Sequence, residues 1–261
     1  MRMALRIGRA FEGRQVVAAE APNPRNPIRP GVDRLVGRRL VRAETRGKHL
    51  ILHFGDDLAL HAHMGMNGGW YVYRPGQRWK RPRRSAWLVL DLDGVEVVQL
   101  GGTMMRLVRP VELGRDPRLA RLGPDILAGP EAVARAADNL AGAPSLELGE
   151  ALLNQRLVAG IGNIFKSESC FEAGLDPWRT VGTLEPEEIS RVLEVAARQM
   201  ERGVATGRRP GRIYRRVGQP CIRCGERVLS RGQGPESRIT YWCPGCQGRP
   251  SPRPESPVGD T

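Results

Sequence analysis

The sequence predicts an α+β protein in three parts: an N-terminal antiparallel β-sandwich, a helical domain, and a C-terminal β-hairpin held by cysteines. Three observations support this prediction. Residues 34–110 alternate apolar and polar side chains in short runs, as half-buried strands do. Residues 124–200 change to a helical pattern rich in Ala, Leu and Glu. Residues 221–247 contain two Cys-x-x-Cys pairs.

The N-terminal part, predicted to span residues 1–115, contains four strand-like runs, at residues 49–54, 58–64, 86–92 and 95–100. A Gly-Asp-Asp segment joins the first two runs, and Asp93-Gly94 joins the last two. Both connections are typical of hairpin turns. The runs are therefore expected to pair as antiparallel neighbours.

The helical domain is predicted at residues 124–205, with breaks at Gly160, Gly162, Gly174 and Pro177. One helix is expected to end near Gln155, and Asn163 stands where an N-cap would open the next. Such a turn can direct backbone amides and Asn163 at a phosphate, with Lys166 adding charge. The alternative is an ordinary capping Asn in a helix-loop-helix.

The C-terminal module is predicted at residues 211–248. Eighteen residues separate its two Cys-x-x-Cys pairs, a spacing typical of one tetrahedral zinc site with the ligands Cys221, Cys224, Cys243 and Cys246. Two disulfides or a redox pair are the alternatives, and two pairs at this separation fit a metal better. The fifth cysteine, Cys170, lies in an apolar helical stretch and is interpreted as a core residue.

The hairpin of this module is expected to consist of strands at residues 227–230 and 238–242, with Gly232, Gly234 and Pro235 in the turn. A hairpin of this size buries too little apolar surface to fold alone. One structural Zn²⁺ is therefore expected to stabilise it. Residues 249–261 are proline-rich without apolar periodicity, so they are predicted to be a disordered tail.

The charge of the chain favours a polyanionic partner. It has 261 residues, 41 Lys and Arg against 28 Asp and Glu, and a net charge of +13. Nucleic acid is the leading candidate. A membrane surface also fits the charge, but the sequence has no apolar run of ~18 residues, no long basic amphipathic helix and no signal-peptide core. We expect a soluble, cytoplasmic protein whose thiols stay reduced.

Several segments resemble the formamidopyrimidine-DNA glycosylase and endonuclease VIII family. The stretch LLNQRLVAGIGNIFKSE is similar to its helix-two-turns-helix motif, and YWCPGCQ is similar to its C-terminal zinc finger. ETRGKHLIL and HAHMGMNGGW resemble its N-terminal β-sandwich. GLDPW and the YRPGQRW region favour the bacterial endonuclease VIII branch. The resemblance covers residues 1–247.

The resemblance implies a base-excision repair enzyme that works on double-stranded DNA containing damaged bases or abasic sites. In this family an oxidised base is flipped out and removed, and the abasic site is opened by β-elimination through a Schiff base. One chain with all three parts is expected to work as a monomer, associated with the bacterial nucleoid through DNA.

Four residues match functional positions of the family. Lys48 matches the lysine beside the active site, Met66 the residue that fills the space left by the flipped base, Asn163 the phosphate-binding asparagine, and Arg238 the zinc-finger arginine that grips phosphate. The alternatives are a solvated strand lysine for Lys48 and a packed core side chain for Met66. The histidines are interpreted as structural, because their spacing is not that of ligands: His49, His53, His61 and His63.

The N-terminus departs from the family pattern. The family's enzymes begin, after removal of the initiator, with Pro-Glu, which supplies the nucleophilic amine and the acid. This sequence begins MRMALRIGRAFEG, where Met3, Ile7 and Phe11 follow helical spacing without a capping residue. One hypothesis is a true start several codons upstream. The other is a product without the proline, in which the α-amino group and Lys48 are the available amines and lyase activity is weak.

Three functions are compatible with the sequence. The first is a DNA glycosylase with abasic-site lyase activity. The second is a catalytically silent protein that binds damaged DNA. The third, from another class, is a zinc-ribbon transcriptional regulator that binds a fixed DNA sequence.

Overall fold

The protein is described by a computed structural model that covers residues 7–8, 10–63, 65, 68–74 and 76–248. The chain forms two compact units, Met1–Arg121 and Leu122–Thr261. The finer division into domains at 1–115, 124–205 and 211–248 stays a prediction. The predicted disordered tail at 249–261 lies outside the described residues. Within the described part of the chain, every helix is too short or too polar to cross a membrane.

The first unit is an antiparallel β-sandwich, as predicted. Its strands are β1 (Ala18–Glu20), β2 (Leu40–Arg46), β3 (His49–Phe54), β4 (Leu58–His63), β5 (Gly69–Tyr73), β6 (Ala86–Asp91), β7 (Glu96–Leu100) and β8 (Met104–Val108). One sheet has the order β1-β6-β7-β5 and the other β2-β3-β4-β8. Short helices α1 (Pro110–Gly114) and α2 (Pro117–Ala120) follow the last strand.

Tight turns and alternation explain the two sheets. Asp93 and Gly94 have φ of 55° and 80°, which are the left-handed values of the turn that matches the twist of a hairpin. Alternate residues of the strands face the space between the sheets, where they form the main core: Leu50, Leu52, Phe54, Leu58, Leu60, Trp70, Leu88, Leu90 and Val97. The intervening residues face outward, which places two separate outer surfaces on the sandwich.

In its described residues, 122–248, the second unit contains five further α-helices and one hairpin. Its elements are α3 (Pro130–Ala141), α4 (Leu148–Leu153), α5 (Asn163–Ala173), α6 (Pro186–Thr206), β9 (Leu229–Gln233), β10 (Arg238–Trp242) and the one-turn helix α7 (Pro244–Gln247). The helices share a core formed largely by aliphatic side chains, including Leu148, Leu152, Val158, Ile161, Val192, Leu193 and Ala196.

Three predicted boundaries differ in detail from the structure. Helix α4 ends at Leu153, two residues before Gln155, near which an end was predicted. The Gln155 side chain organises the following turn, because its Nε2 donates to the carbonyls of Leu153 and Ile161. Residues 203–220 are rich in Gly, Arg and Pro and are predicted from the sequence to be a linker, but helix α6 continues to Thr206. Gly232 belongs to strand β9, where it pairs with Ile239, and is not in the turn.

Candidate metal centre and nucleic-acid interface

The structure brings the four predicted cysteine ligands together. Their sulfur atoms all lie within 4.8 Å of one another, with Sγ–Sγ distances of 3.9 Å for Cys221–Cys246 and 3.4 Å for Cys224–Cys243. Sulfurs about 2.3 Å from a tetrahedral zinc ion are about 3.8 Å apart. The donor set therefore fits one zinc ion. Cys170 is fully buried in α5 and does not belong to the group.

A glycine allows this approach of the two Cys-x-x-Cys loops. A Cβ atom on Gly245 would lie 2.3 Å from Glu226 Oε2 and 3.1 Å from Cys224 Sγ. A side chain at 245 would therefore displace the Glu226 carboxylate, and the Cys224 sulfur would have to shift by a few tenths of an ångström.

Helix α5 holds the hairpin through three polar contacts with β10. Asn163 Nδ2 donates to the carbonyl oxygen of Ile239 at 2.8 Å, and Lys166 Nζ donates to Thr240 Oγ1 at 2.6 Å. The Tyr241 amide donates to Ser167 Oγ at 3.3 Å. Consecutive residues of the strand are thus attached to one face of the helix, which fixes the position of the residue that precedes them.

Asn163 does not cap α5, contrary to the prediction. Gly162 is the N-cap, and Asn163 is the first helical residue. Its side-chain nitrogen instead reaches β10, while its Oδ1 is buried without a hydrogen-bond partner among the described residues. Asn163 therefore joins the helix start, with its unpaired backbone N–H groups, to the hairpin.

Lys166 is not available to a phosphate. The expectation that it adds positive charge beside Asn163 was therefore wrong. Its side chain is fully buried. Burial lowers the pKa of Lys166 to about 8, and the nearby Arg238 charge also lowers it. The sequence analysis expected Lys166 to add charge beside Asn163, and burial of the side chain excludes this role.

Arg238 is the first residue of β10, and its side chain is 40% exposed. Its Nε and Nη2 donate to the same carboxylate oxygen of Glu236, at 2.8 and 2.7 Å. The next residue, Ile239, is the one that Asn163 holds. The structure thus brings the predicted residues Asn163 and Arg238 to one end of the hairpin.

In the first unit, Lys48 lies in the turn between β2 and β3, after Gly47, whose φ is 56°. The lysine is partly buried. Its charge helps to lower the pKa of His63, although burial of that imidazole is the larger cause. Met66 lies outside the described residues.

A histidine cluster lies beside Lys48, on the outward face of β3 and β4. His61 Nε2 is 2.9 Å from His49 Nδ1, and the rings of His49 and His63 lie 4.8 Å apart. Burial is the largest cause that lowers the pKa of His49 to about 3 and of His61 to about 4. The imidazoles are therefore neutral near pH 7. The sequence analysis did not predict this cluster. The register of the hairpin formed by β3 and β4 places His49 opposite His63, and the position of the turn between these strands could have indicated that register.

Comparisons with known proteins match both units. The family models for the formamidopyrimidine-DNA glycosylase N-terminal domain and H2TH domain match residues 2–115 and 122–213. A Streptomyces coelicolor protein named probable endonuclease 8 2 is 37% identical, covering 98% of this chain and 95% of that protein. The Mycolicibacterium smegmatis DNA-(apurinic or apyrimidinic site) lyase Nei2 is 35% identical, covering 91% and 92%.

Solved structures with the same fold include the MutM (Fpg) protein of Thermus thermophilus, at a TM-score of 0.78 and 28% identity, covering 96% of this chain and 97% of that one. The Lactococcus lactis formamidopyrimidine-DNA glycosylase, in a non-covalent complex with DNA containing an abasic site, gives a TM-score of 0.81 at 20% identity, covering 95% and 97%. The second likeness shows the fold alone.

Proposed function

The chain belongs to the formamidopyrimidine-DNA glycosylase and endonuclease VIII family, and from this premise we propose that it is a DNA repair glycosylase with abasic-site lyase activity. The observation that carries the proposal is the attachment of the Arg238 end of the hairpin to the start of α5 by Asn163. The name of the Mycolicibacterium smegmatis relative supports the lyase part. The proposed substrates are oxidised bases in double-stranded DNA.

The four clustered cysteines are proposed to hold one structural zinc ion. Thiolates at these separations satisfy its tetrahedral coordination. The ion would connect the two loops at the base of the hairpin and supply folding free energy that so small a hairpin lacks. Its effect on DNA binding is then indirect, through the position of β10.

Arg238 and Asn163 are proposed to bind the DNA backbone near the lesion. The guanidinium has five donors in a planar fork that matches phosphate oxygens. In the free protein, Glu236 accepts two of these hydrogen bonds, so a phosphate must compete with that carboxylate. Asn163 uses its amide nitrogen on Ile239 and keeps this part of the hairpin close to the helix N-terminus, which favours anions.

Lys48 is proposed to act beside the reacting sugar, and Met66 to fill the space left by the flipped base. In the lyase step an amine attacks C1′ of the open abasic sugar and water leaves, which forms a Schiff base. Loss of a C2′ proton then expels the 3′ phosphate by β-elimination. A Lys48 ammonium can hold a backbone phosphate during this step or stabilise the departing one.

Borohydride trapping on a duplex with one abasic site tests the proposal. Reduction converts a Schiff base into a stable protein–DNA adduct, and peptide mapping identifies the amine that carries it. We expect an adduct in the wild type and in Arg198→Ala, a control that removes a surface charge from α6. Lesion-selective binding without any adduct would instead indicate a damage-binding protein, and preference for a fixed sequence would indicate a regulator.

A further inference from the structure

A strongly basic loop connects β5 and β6 in the first unit. Residues 74–84, here called the basic loop, have the sequence RPGQRWKRPRR, with six Arg or Lys and no Asp or Glu. Strand β5 is at the edge of its sheet, and β6 lies beyond β7. The loop therefore crosses the outer face of this sheet, the face turned away from the sandwich core.

An aromatic stack gives the described residues of the basic loop, 74 and 76–84, a defined conformation. The Tyr73 ring lies 6.1 Å from that of Tyr71 and 5.7 Å from that of Trp79, both in stacked orientation. The Arg83 guanidinium covers the Trp79 ring at 4.9 Å, and the indole nitrogen donates to Glu96 Oε2 at 3.0 Å. These rings belong to a small apolar cluster on the outer face of the sheet. The loop is thus packed onto the sheet and does not extend freely into solvent.

The remaining cations of the loop point to solvent. Arg83 pairs with Glu20 and Glu96, the carboxylates nearest to it. Lys80 lies over the Tyr71 ring at 5.1 Å. In the part of the chain that the structure describes, the other exposed side chains of the loop make no ion pair: Arg74, Arg78, Arg81 and Arg84. A hollow of about 450 Å³ is lined by residues 77–83.

The chemistry of this surface fits a phosphate backbone better than a protein. Protein interfaces are anchored by buried aromatic or aliphatic side chains at their centre. Here Trp79 and Tyr73 are used internally, so the surface offered outward is almost purely cationic. Guanidinium groups bind phosphates bidentately, and such contacts need no particular base sequence.

The basic loop also lies on a different layer of the sandwich from Lys48. Lys48 is in a turn of the β2-β3-β4-β8 sheet, whereas the loop covers the outer face of the other sheet. Two packed sheets are about 10 Å apart, and the loop adds its own thickness to this separation. We propose that the basic loop binds the phosphate backbone of a second, undamaged duplex segment while the first segment occupies the repair site.

This inference rests on the proposed function, because it assumes a first duplex held at a lesion. The protein is first saturated with a short duplex that contains a tetrahydrofuran abasic analogue. A fluorescent undamaged duplex is then titrated, and anisotropy reports the ternary complex at several salt concentrations. The test variant is R78Q/R81Q/R84Q, and the control R191Q/R198Q/R202Q removes the same charge from the exposed side of α6.

We expect the wild type and the control to bind the second duplex, and the loop variant to bind it at least about 10-fold more weakly. The magnitude of the negative slope of log K against log salt should decrease by about 2.7, because the variant loses three phosphate contacts and each contributes about 0.9. Affinity of the loop variant for the first duplex should stay within about 2-fold. Equal binding by the loop variant and the wild type, or no ternary complex in the wild type, would overturn the inference.

Polyglutamate is the competitor that separates a phosphate backbone from an acidic protein. Displacement of the second duplex by polyglutamate at matched charge concentration would contradict the assignment to nucleic acid. Failure of the proposed function gives a different result. In a titration of the protein with a single duplex, the abasic analogue would then bind no more tightly than undamaged DNA.

Discussion

The ammonium of Lys166 lies 2.6 Å from the hydroxyl oxygen of Thr240, and both side chains are fully buried. The Thr240 hydroxyl donates to Gln233 Oε1 at 2.6 Å, and Gln233 Nε2 donates to Glu147 Oε2 at 2.8 Å. A Cβ atom on Gly149 would lie 2.2 Å from Gln233 Oε1, so glycine at this position makes room for the chain of contacts. A buried polar chain thus joins α5 to both strands of the hairpin.

Thr240→Val is expected to destabilise the protein more than Lys166→Met. The valine leaves a buried ammonium without its hydroxyl acceptor, at a cost of about 2 kcal/mol, whereas methionine removes the charge and keeps most of the volume. The double variant should be more stable than the sum of the two changes predicts. Urea unfolding of the zinc-loaded proteins measures this coupling, and strictly additive free energies would contradict the role of the contact.

The stability contributed by Lys166 should depend on pH in a defined direction. Burial lowers its pKa to about 8 in the folded protein, from an ordinary value of 10.5. Between these values the unfolded chain binds more protons than the folded one, so the free energy of unfolding rises with pH. Relative to Lys166→Met, the wild type should gain up to about 3 kcal/mol between pH 7 and pH 10.5.

Other groups that face Lys166 must be held constant in this comparison. They are Cys170, Glu147 and Arg238. Burial raises the pKa of Cys170 to about 12, which makes its contribution fall as pH rises. Both proteins should therefore carry Cys170→Ala. A pH-independent difference in the free energy of unfolding between them would show that Lys166 keeps its ordinary pKa.

Local patterns predicted the sandwich well, because strand alternation and hairpin turns are properties of neighbouring residues. The strand at residues 49–54 has the predicted bounds. Local patterns did not predict the burial of Lys166, because a lysine in a helical pattern indicates a surface position. Its partner Thr240 is 74 residues away in the sequence. In the C-terminal hairpin, Gly234 and Pro235 lie in the turn as predicted, whereas Gly232 belongs to β9. Gly234 and Ser237 have positive φ in this turn, and Ser237 is a residue type that rarely does.

The zinc ion is expected to control DNA binding through the hairpin. Cys224→Ser should lose the metal and weaken binding to an abasic-site duplex by at least about 10-fold, because four thiolates hold the base of the hairpin. Cys170→Ala is the matched control, since that thiol is buried in α5 away from the site. Metal analysis should give one zinc per chain in the wild type and the control. A zinc-free Cys224→Ser protein with normal affinity would contradict the coupling.

The pKa of His63 should report the charge of Lys48. Burial lowers this pKa and the lysine charge lowers it further, so Lys48→Gln should raise it. Arg46→Gln is an informative control, because the Arg46 charge contributes to the low pKa of His61 instead. NMR titration of the imidazole protons separates the two effects. A His63 pKa that responds to Arg46→Gln and not to Lys48→Gln would place the lysine charge away from the cluster.

Arg238 provides the sharpest test of the proposed DNA contact. Arg238→Ala should weaken binding to an abasic-site duplex by about 10- to 100-fold. This factor corresponds to the loss of a pair of charge-assisted hydrogen bonds between the guanidinium and a phosphate. Arg238→Lys should be intermediate, because an ammonium cannot bind phosphate bidentately. Glu236→Gln should strengthen binding, since the carboxylate competes with phosphate for the guanidinium. Arg198→Ala should have little effect because it is paired on the surface of α6. If Arg238→Ala keeps its zinc and its full affinity, the hairpin does not bind DNA through this side chain.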